Sequence, residues 1–228
     1  MKIMTFGNFK GGTGKSSLAG LHAVKLANDG KRVLVIDLDY QMNLTKLLEA
    51  NYVQPNRDKS IFNVLKRKKV SDNIVTITDN LDLLPASLET NRKVSIDWLD
   101  KALSDVDYDY IIIDTRPDID VLVQSALVIS DLVFIVLEPT QISLDGAITY
   151  YNTLLELQEE YDLKIKTSFI VNKFQNDDSF IATLPEEIKG MTYFVKYSKR
   201  IARYSNTGLP KKLDYHDRNV MKLMKFGG

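Results

Sequence analysis

The feature that most constrains this chain is a strand-like run, "KIMTF" (Lys2 to Phe6), that ends at Gly7 and leads into "NFKGGTGKSSLAG" (Asn8 to Gly20). A helix pattern follows at once, with Leu18, Leu21, Ala23, Val24, Leu26 and Ala27 on one broad apolar face and Gly30 as its stop. Strand, glycine loop, lysine, hydroxyl and helix thus occur in the order a phosphate-binding loop requires. Only backbone stripped of side chains can wrap closely enough to offer phosphate oxygens several N–H groups, and Gly11, Gly12 and Gly14, with Thr13 between them, allow that wrap. The following helix adds its positive N-terminal end. Lys15 is expected to contact the β- and γ-phosphates, Ser16 to take a position on Mg²⁺, and Ser17 to add a donor near the α-phosphate. The spelling is unusual, because the first glycine of the common G-x-x-x-x-G-K-[ST] loop is replaced by Phe9, and Lys10 comes next.

The rest of the chain supplies the sheet that such a loop needs. "RVLVID" (Arg32 to Asp37), "YIIID" (Tyr110 to Asp114), "LVFIVL" (Leu132 to Leu137) and "TSFIV" (Thr167 to Val171) are short runs apolar on both faces. Helical segments such as Ile142 to Glu160 separate them, the pattern of an α/β P-loop fold with a mostly parallel central sheet and helices on both faces. "IVTI" and "LDLLPA", near residues 74 to 86, read as further strands. No repeat, low-complexity tract or long linker interrupts residues 1–228, which are expected to form a single domain.

Two strands end in carboxylates, Asp37 and Asp114, and ligands of such sheets bind beyond the carboxyl ends of the strands. Asp114 is placed to hold a water on Mg²⁺, or alternatively to cap the turn after its strand. In "DLDYQMN" (Asp37 to Asn43), one acid can serve the metal shell while Asp39, just beyond the strand, aligns an attacking water.

"KGGTGKSS" resembles the deviant Walker A loop, KGGxGK[ST][ST], of the ParA/MinD family of ATPases. Lys10 matches that family's signature lysine, which in relatives reaches the partner's nucleotide, so the resemblance implies an ATP-dependent homodimer that sandwiches ATP. "VLVIDLDYQMNLT" is similar to the family's switch segment and "YDYIIIDTRPDID" to its Walker B segment. The likeness implies that Asp39 positions the hydrolytic water and that Asp37 supports the lysine and metal shell. "SALVISDLVFIVLEPTQISLDGA" and "NTGLPKKLDYHDRNVMKLM" resemble later family segments, and Asn172 falls where relatives use an asparagine to read adenine. Tyr40 and Arg116 depart from the pattern, each replacing a proline. Arg116 is expected near phosphate, paired with Asp118, or at a partner. Both departures bear on the rate of hydrolysis.

Composition narrows the partners. Thirty basic and thirty acidic residues cancel, so attraction to nucleic acid must come from local patches. Between Lys196 and Arg218, seven cations face two acids, a local excess of five. Lys196, Lys199, Arg200 and Arg203 are its expected contacts to non-specific DNA. "KRKK" (Lys66 to Lys69) is a second basic run. The absence of cysteine excludes disulfides, thiolate metal sites and cysteine nucleophiles, and fits a reducing cytoplasm. No apolar run approaches the ~20 residues of a membrane span. The tail "NVMKLMKFGG" has the pattern of a short membrane-surface helix or of a segment packed on the sheet.

The phosphate loop begins within the first dozen residues, so no N-terminal helix-turn-helix domain is expected. The resemblance then implies a short ParA-type ATPase for plasmid or chromosome partition. It is expected to be cytoplasmic, nucleoid-associated when ATP-bound, and stimulated by a ParB-like partner. The alternatives are a MinD-like positioning ATPase at the membrane and a nucleotide-gated adaptor with little hydrolysis.

Overall fold

The computed structural model describes residues 1–52, 59–66, 69–87, 94–215 and 217–218. In chain order, β1 (Lys2–Gly7) leads through the glycine loop into α1 (Lys15–Asn28), then β2 (Val33–Asp37), α2 (Asn43–Tyr52) and α3 (Ile61–Leu65). A tight hairpin joins β3 (Val75–Thr78) to β4 (Leu81–Leu84), followed by α4 (Trp98–Ala102), β5 (Tyr110–Asp114), α5 (Val121–Leu127), β6 (Leu132–Leu137) and α6 (Gln141–Glu160). The last part holds β7 (Lys166–Phe174), α7 (Asp178–Thr183), α8 (Glu186–Lys189), β8 (Thr192–Lys196) and α9 (Lys199–Thr207).

The eight strands form one sheet in the order β3-β4-β2-β5-β1-β6-β7-β8, parallel throughout except for the β3–β4 hairpin at one edge. This is the α/β arrangement that the apolar runs predict. Both faces are covered, which is why the strands lack polar alternation. Met4, Phe6, Val33, Val35, Ile112, Phe134 and Ile170 pack on one face beneath α1, α2 and α9. Their neighbours point the other way. Leu34, Ile36, Ile111 and Ile113 meet α3 to α5, while Val133, Ile135, Phe169 and Val171 meet α5 and α6.

The loop lies where β1, central in the sheet, sends its chain to α1 and β2 on one side while β6 and β7 lie on the other. Such a switch point opens a crevice above the strand ends. The β2–β5 register sets Asp37 opposite Asp114, and the β1–β5 register sets Asp114 beside Phe6, one residue from the end of β1. Gly7 lets this floor close tightly, because a Cβ there would stand 2.1 Å from the hydroxyl oxygen of fully buried Tyr150 on α6.

Candidate nucleotide site

Side chains from several elements hold the loop open. Asn8 Nδ2 donates to Val136 O at 2.7 Å, fixing the start of the loop to β6, and Asn8 Oδ1 accepts from Lys10 N at 3.3 Å. Gly12 (φ 78°) and Gly14 (φ 94°) take left-handed backbone. Gly14 has a second constraint, since a Cβ would come within 2.2 Å of Asn172 Nδ2. Gly11 and Gly12 have no atom within 4 Å of that position, which leaves backbone open to a ligand.

Lys15, largely buried at the start of α1, donates to Lys10 O at 3.3 Å. Burial lowers its pKa, while Asp114 and Asp39 act in the opposite direction. The surrounding cleft, about 560 Å³, is lined by the loop glycines, Lys15, Ser16, Ser17, Asp39, Tyr40 and Ser205, among others. A smaller recess continues past Gly12, Gly14 and Ser17 to Asn172, Lys173, Lys196, Tyr197 and Ser205.

The three aspartates occupy different environments. Asp37 is firmly anchored, with acceptor capacity left on Oδ1: Oδ2 accepts from Thr45 N and Thr45 Oγ1, both at 2.8 Å, and Oδ1 accepts from Asp39 N at 3.0 Å. Burial nevertheless raises its pKa to about 6. Thr45 Oγ1 also accepts from Ala86 N at 3.0 Å, so α2 braces this carboxylate against the segment after β4. Asp39 accepts from Gln41 N at 2.9 Å. Asp114 is fully buried, and neither of its oxygens meets a hydrogen-bond partner among the described residues. Burial, then Asp37, holds its pKa well above the carboxylate range; the Ser16 hydroxyl, nearby but outside full hydrogen-bond geometry, and Lys15 pull it down. A buried polar group left unsatisfied calls for an explanation. An oxygen set of Ser16, Asp37 and Asp114 suits Mg²⁺, which keeps several waters and takes few protein ligands. The residues fit the ion.

The expected residues do not all stand as pictured. Asn172 is buried, and its amide donates to Thr13 O at 2.8 Å, so its NH₂ group braces the loop as well as facing the recess. Thr13 is fully buried. Arg116 pairs with Asp120, the residue that caps α5, while Asp118 Oδ1 accepts from Ile119 N. Tyr40 is half-exposed on the cleft wall.

The expected DNA contacts divide. Lys199 and Arg203 are exposed on α9. Lys196, also exposed, lines the recess next to the loop. Arg200, itself half-exposed, is tied into an intrachain network: Nη2 meets Asp214 at 2.6 Å, Nε meets Asp217 at 3.1 Å, and Tyr204 Oη donates to Asp217 at 2.9 Å. The two acids of the basic segment are therefore both joined to one arginine. Part of the second basic run (residues 67 and 68) and the tail from 219 to 228 lie outside the described residues.

Two site residues escaped the sequence reading. Glu138, directly after β6, pairs with Lys173 Nζ at 2.5 Å and Lys10 Nζ at 3.5 Å, and Lys173 also donates to Gly12 O at 2.9 Å. The strand-end rule that singles out Asp37 and Asp114 applies equally to the acid after "LVFIVL".

Comparison with known proteins agrees with this geometry. A family model described as an AAA domain matches residues 1–167. An uncharacterized protein of Methanocaldococcus jannaschii is 30% identical over 207 residues, covering 83% of this chain and 80% of that protein. The virulence plasmid ParA family protein pGP5-D of Chlamydia psittaci is 35% identical over 159 residues, 64% of this chain and 60% of its own length. A solved plasmid partition protein of Borrelia burgdorferi, described as putative and bound to AMPPNP, superposes with a TM-score of 0.82 at 25% identity, covering 98% of each chain.

Proposed function

The chain belongs to the ParA/MinD family of AAA-domain proteins, and from that premise we propose that it is an ATPase of plasmid or chromosome partition, working as an ATP-dependent homodimer. The observation that carries the nucleotide reading is Asp114, a buried carboxylate whose oxygens have no partner among the described residues, beside Lys15 and under an open glycine loop.

In this reading, the loop amides from Gly11 to Ser17 and the N-terminus of α1 hold the phosphate chain of ATP. Lys15 exchanges its bond to Lys10 O for phosphate oxygens, and the charge it brings offsets the triphosphate. Ser16 would hold Mg²⁺ directly, with Asp114 and Asp37 holding its waters. When bound there, the ion draws charge from the phosphoryl oxygens. Asp39, fixed through Gln41 N, orients the attacking water. Lys10 reaches the partner subunit's nucleotide. Catalysis of this type is mostly positioning and charge stabilisation, which suits groups held on strand ends and a braced loop.

For the output we assign non-specific duplex DNA, held through phosphate contacts from Lys199 and Arg203 and released when a ParB-like protein stimulates hydrolysis. The test is binding to a random duplex with ATP, with ADP and without nucleotide, across a salt series. The reading expects ATP-dependent binding that weakens with salt and is lost when Lys199 and Arg203 are both changed to glutamine. Absence of DNA binding in every nucleotide state would refute this output and leave an ATP-gated adaptor.

A further inference from the structure

Glu138 joins three parts of the site from a position that the ATPase reading leaves without a role. It follows β6, and its own N–H donates to Ser143 Oγ at 3.0 Å, which fixes its backbone at the head of α6. One carboxylate oxygen takes Lys173 Nζ at 2.5 Å and the other takes Lys10 Nζ at 3.5 Å. Burial alone would raise the Glu138 carboxyl, but Lys173 and then Lys10 hold it below its ordinary range. Lys173 itself has left-handed backbone (φ 59°) within an irregular stretch of β7, and its amine also binds Gly12 O. One acid therefore serves two lysines, the longer contact going to the lysine on the loop.

Resting on the paired-subunit reading above, we propose that Glu138 is a positioning residue that keeps Lys10 within its own subunit, in competition with the partner's nucleotide, and so sets the ATP level at which subunits pair. The geometry suits release. The Lys10 backbone nitrogen stays held by Asn8 Oδ1 when Lys15 turns from Lys10 O to phosphate, so release calls mainly for a swing of the Lys10 side chain. When it leaves, Lys173 still neutralises Glu138, and no half-buried charge is stranded. Contacts of this partly exposed kind are weak, which makes the hold adjustable rather than a lock.

Two variants separate this role from simple support of the loop. In Glu138→Gln, Lys10 loses its intrachain partner. In Lys173→Gln, Glu138 is left to Lys10 alone, so the hold tightens. Acylation of Lys10 by an amine-reactive reagent, read by mass spectrometry without nucleotide, is expected to rise in the first variant and fall in the second. Light scattering over an ATP titration with Mg²⁺ is expected to show pairing at about fivefold less ATP in Glu138→Gln, the equivalent of ~1 kcal/mol. Lys10 labelling that is unmoved by Glu138→Gln, or that moves the same way in both variants, would overturn the proposal. An ATP threshold that Glu138→Gln leaves unchanged, in a protein whose wild type does pair, would overturn it too. If the wild type stays monomeric at saturating ATP, the paired-subunit reading fails and the threshold role with it. The labelling arm still reports separately whether Glu138 holds Lys10.

Discussion

Replacing Asp114 with asparagine should make the protein more stable while abolishing its response to ATP. The carboxylate is fully buried, stands opposite Asp37 on the neighbouring strand, and has no hydrogen-bond partner among the described residues. Burial and Asp37 raise its pKa well above the ordinary value, whereas the unfolded chain's aspartate titrates near ~3.9. Over the interval between these values, the folded state keeps a proton that the unfolded state has released, so this group removes stability as pH rises. Asparagine has the same shape and no ionisation. Each pH unit over which only the folded state keeps this proton costs about 1.4 kcal/mol, and that amount corresponds to about 3–6 °C in Tm for a chain of this length. The assay is thermal unfolding by circular dichroism from pH 4 to pH 8 without nucleotide. Asp114→Asn should melt above the wild type at pH 7.5, and the gap should close toward pH 4. With Mg²⁺ and ATP in excess the order should invert, because a ligand at about a hundred times its Kd adds ~2.7 kcal/mol to a protein that binds it. A variant less stable at every pH, or a gap that ignores pH, would refute the account of Asp114 as an uncompensated buried acid.

Three further outcomes follow from the geometry of the loop and of α9. Asn172→Ala removes the 2.8 Å bond to Thr13 O and leaves that carbonyl buried and unpaired; chemical denaturation should show a loss of about 1–2 kcal/mol, and calorimetry should show weaker ATP binding. Gly14→Ala combines a positive φ with a clash on Asn172 and should destabilise by about 2 kcal/mol or more, whereas Gly11→Ala, in open space, should melt within about 2 °C of the wild type. Arg200→Gln should lower the melting temperature by releasing Asp214 and Asp217, while Arg203→Gln should leave it unchanged and weaken DNA binding instead; the reverse ranking in melting and filter-binding assays would dismantle the division of α9 into an inner and an outer face.

The parts of the site legible in the sequence are those fixed by local chemistry. A glycine run between a strand and a helix admits few backbone paths, and a strand apolar on both faces must be covered on both. That was enough to place Lys15, Ser16, Asp37 and Asp114 together. What escaped depends on partners distant in the chain. Counting charges from 196 to 218 overlooks that Asp214 and Asp217 converge on one arginine, and the 35-residue separation of Glu138 and Lys173 leaves no local trace of their pairing. The direction of β3 escaped for another reason. "TDN" between two short apolar runs is a hairpin signal, but it sits in a chain otherwise dominated by crossover connections, and β8, half-exposed along most of its length, lacks the apolar density of the other strands. Arg116 found Asp120 rather than Asp118 because α5 begins at Val121, with Asp120 as its cap, and the turn in between carries Asp118 away.

The closure of Gly7 over Tyr150 links two positions that lie 143 residues apart. The ring carbon bearing the hydroxyl stands 2.4 Å from where a Cβ would be, so removing the oxygen alone, as in Tyr150→Phe, makes no room for alanine at position 7. Only a shorter residue at 150 would. Substitutions at the two positions are therefore permitted jointly and forbidden singly in one direction: position 150 can shrink first at the cost of a cavity, but position 7 can grow only afterwards. A two-site library selected for folding should recover that order, a one-way path through sequence space set by a single van der Waals contact beneath the phosphate loop.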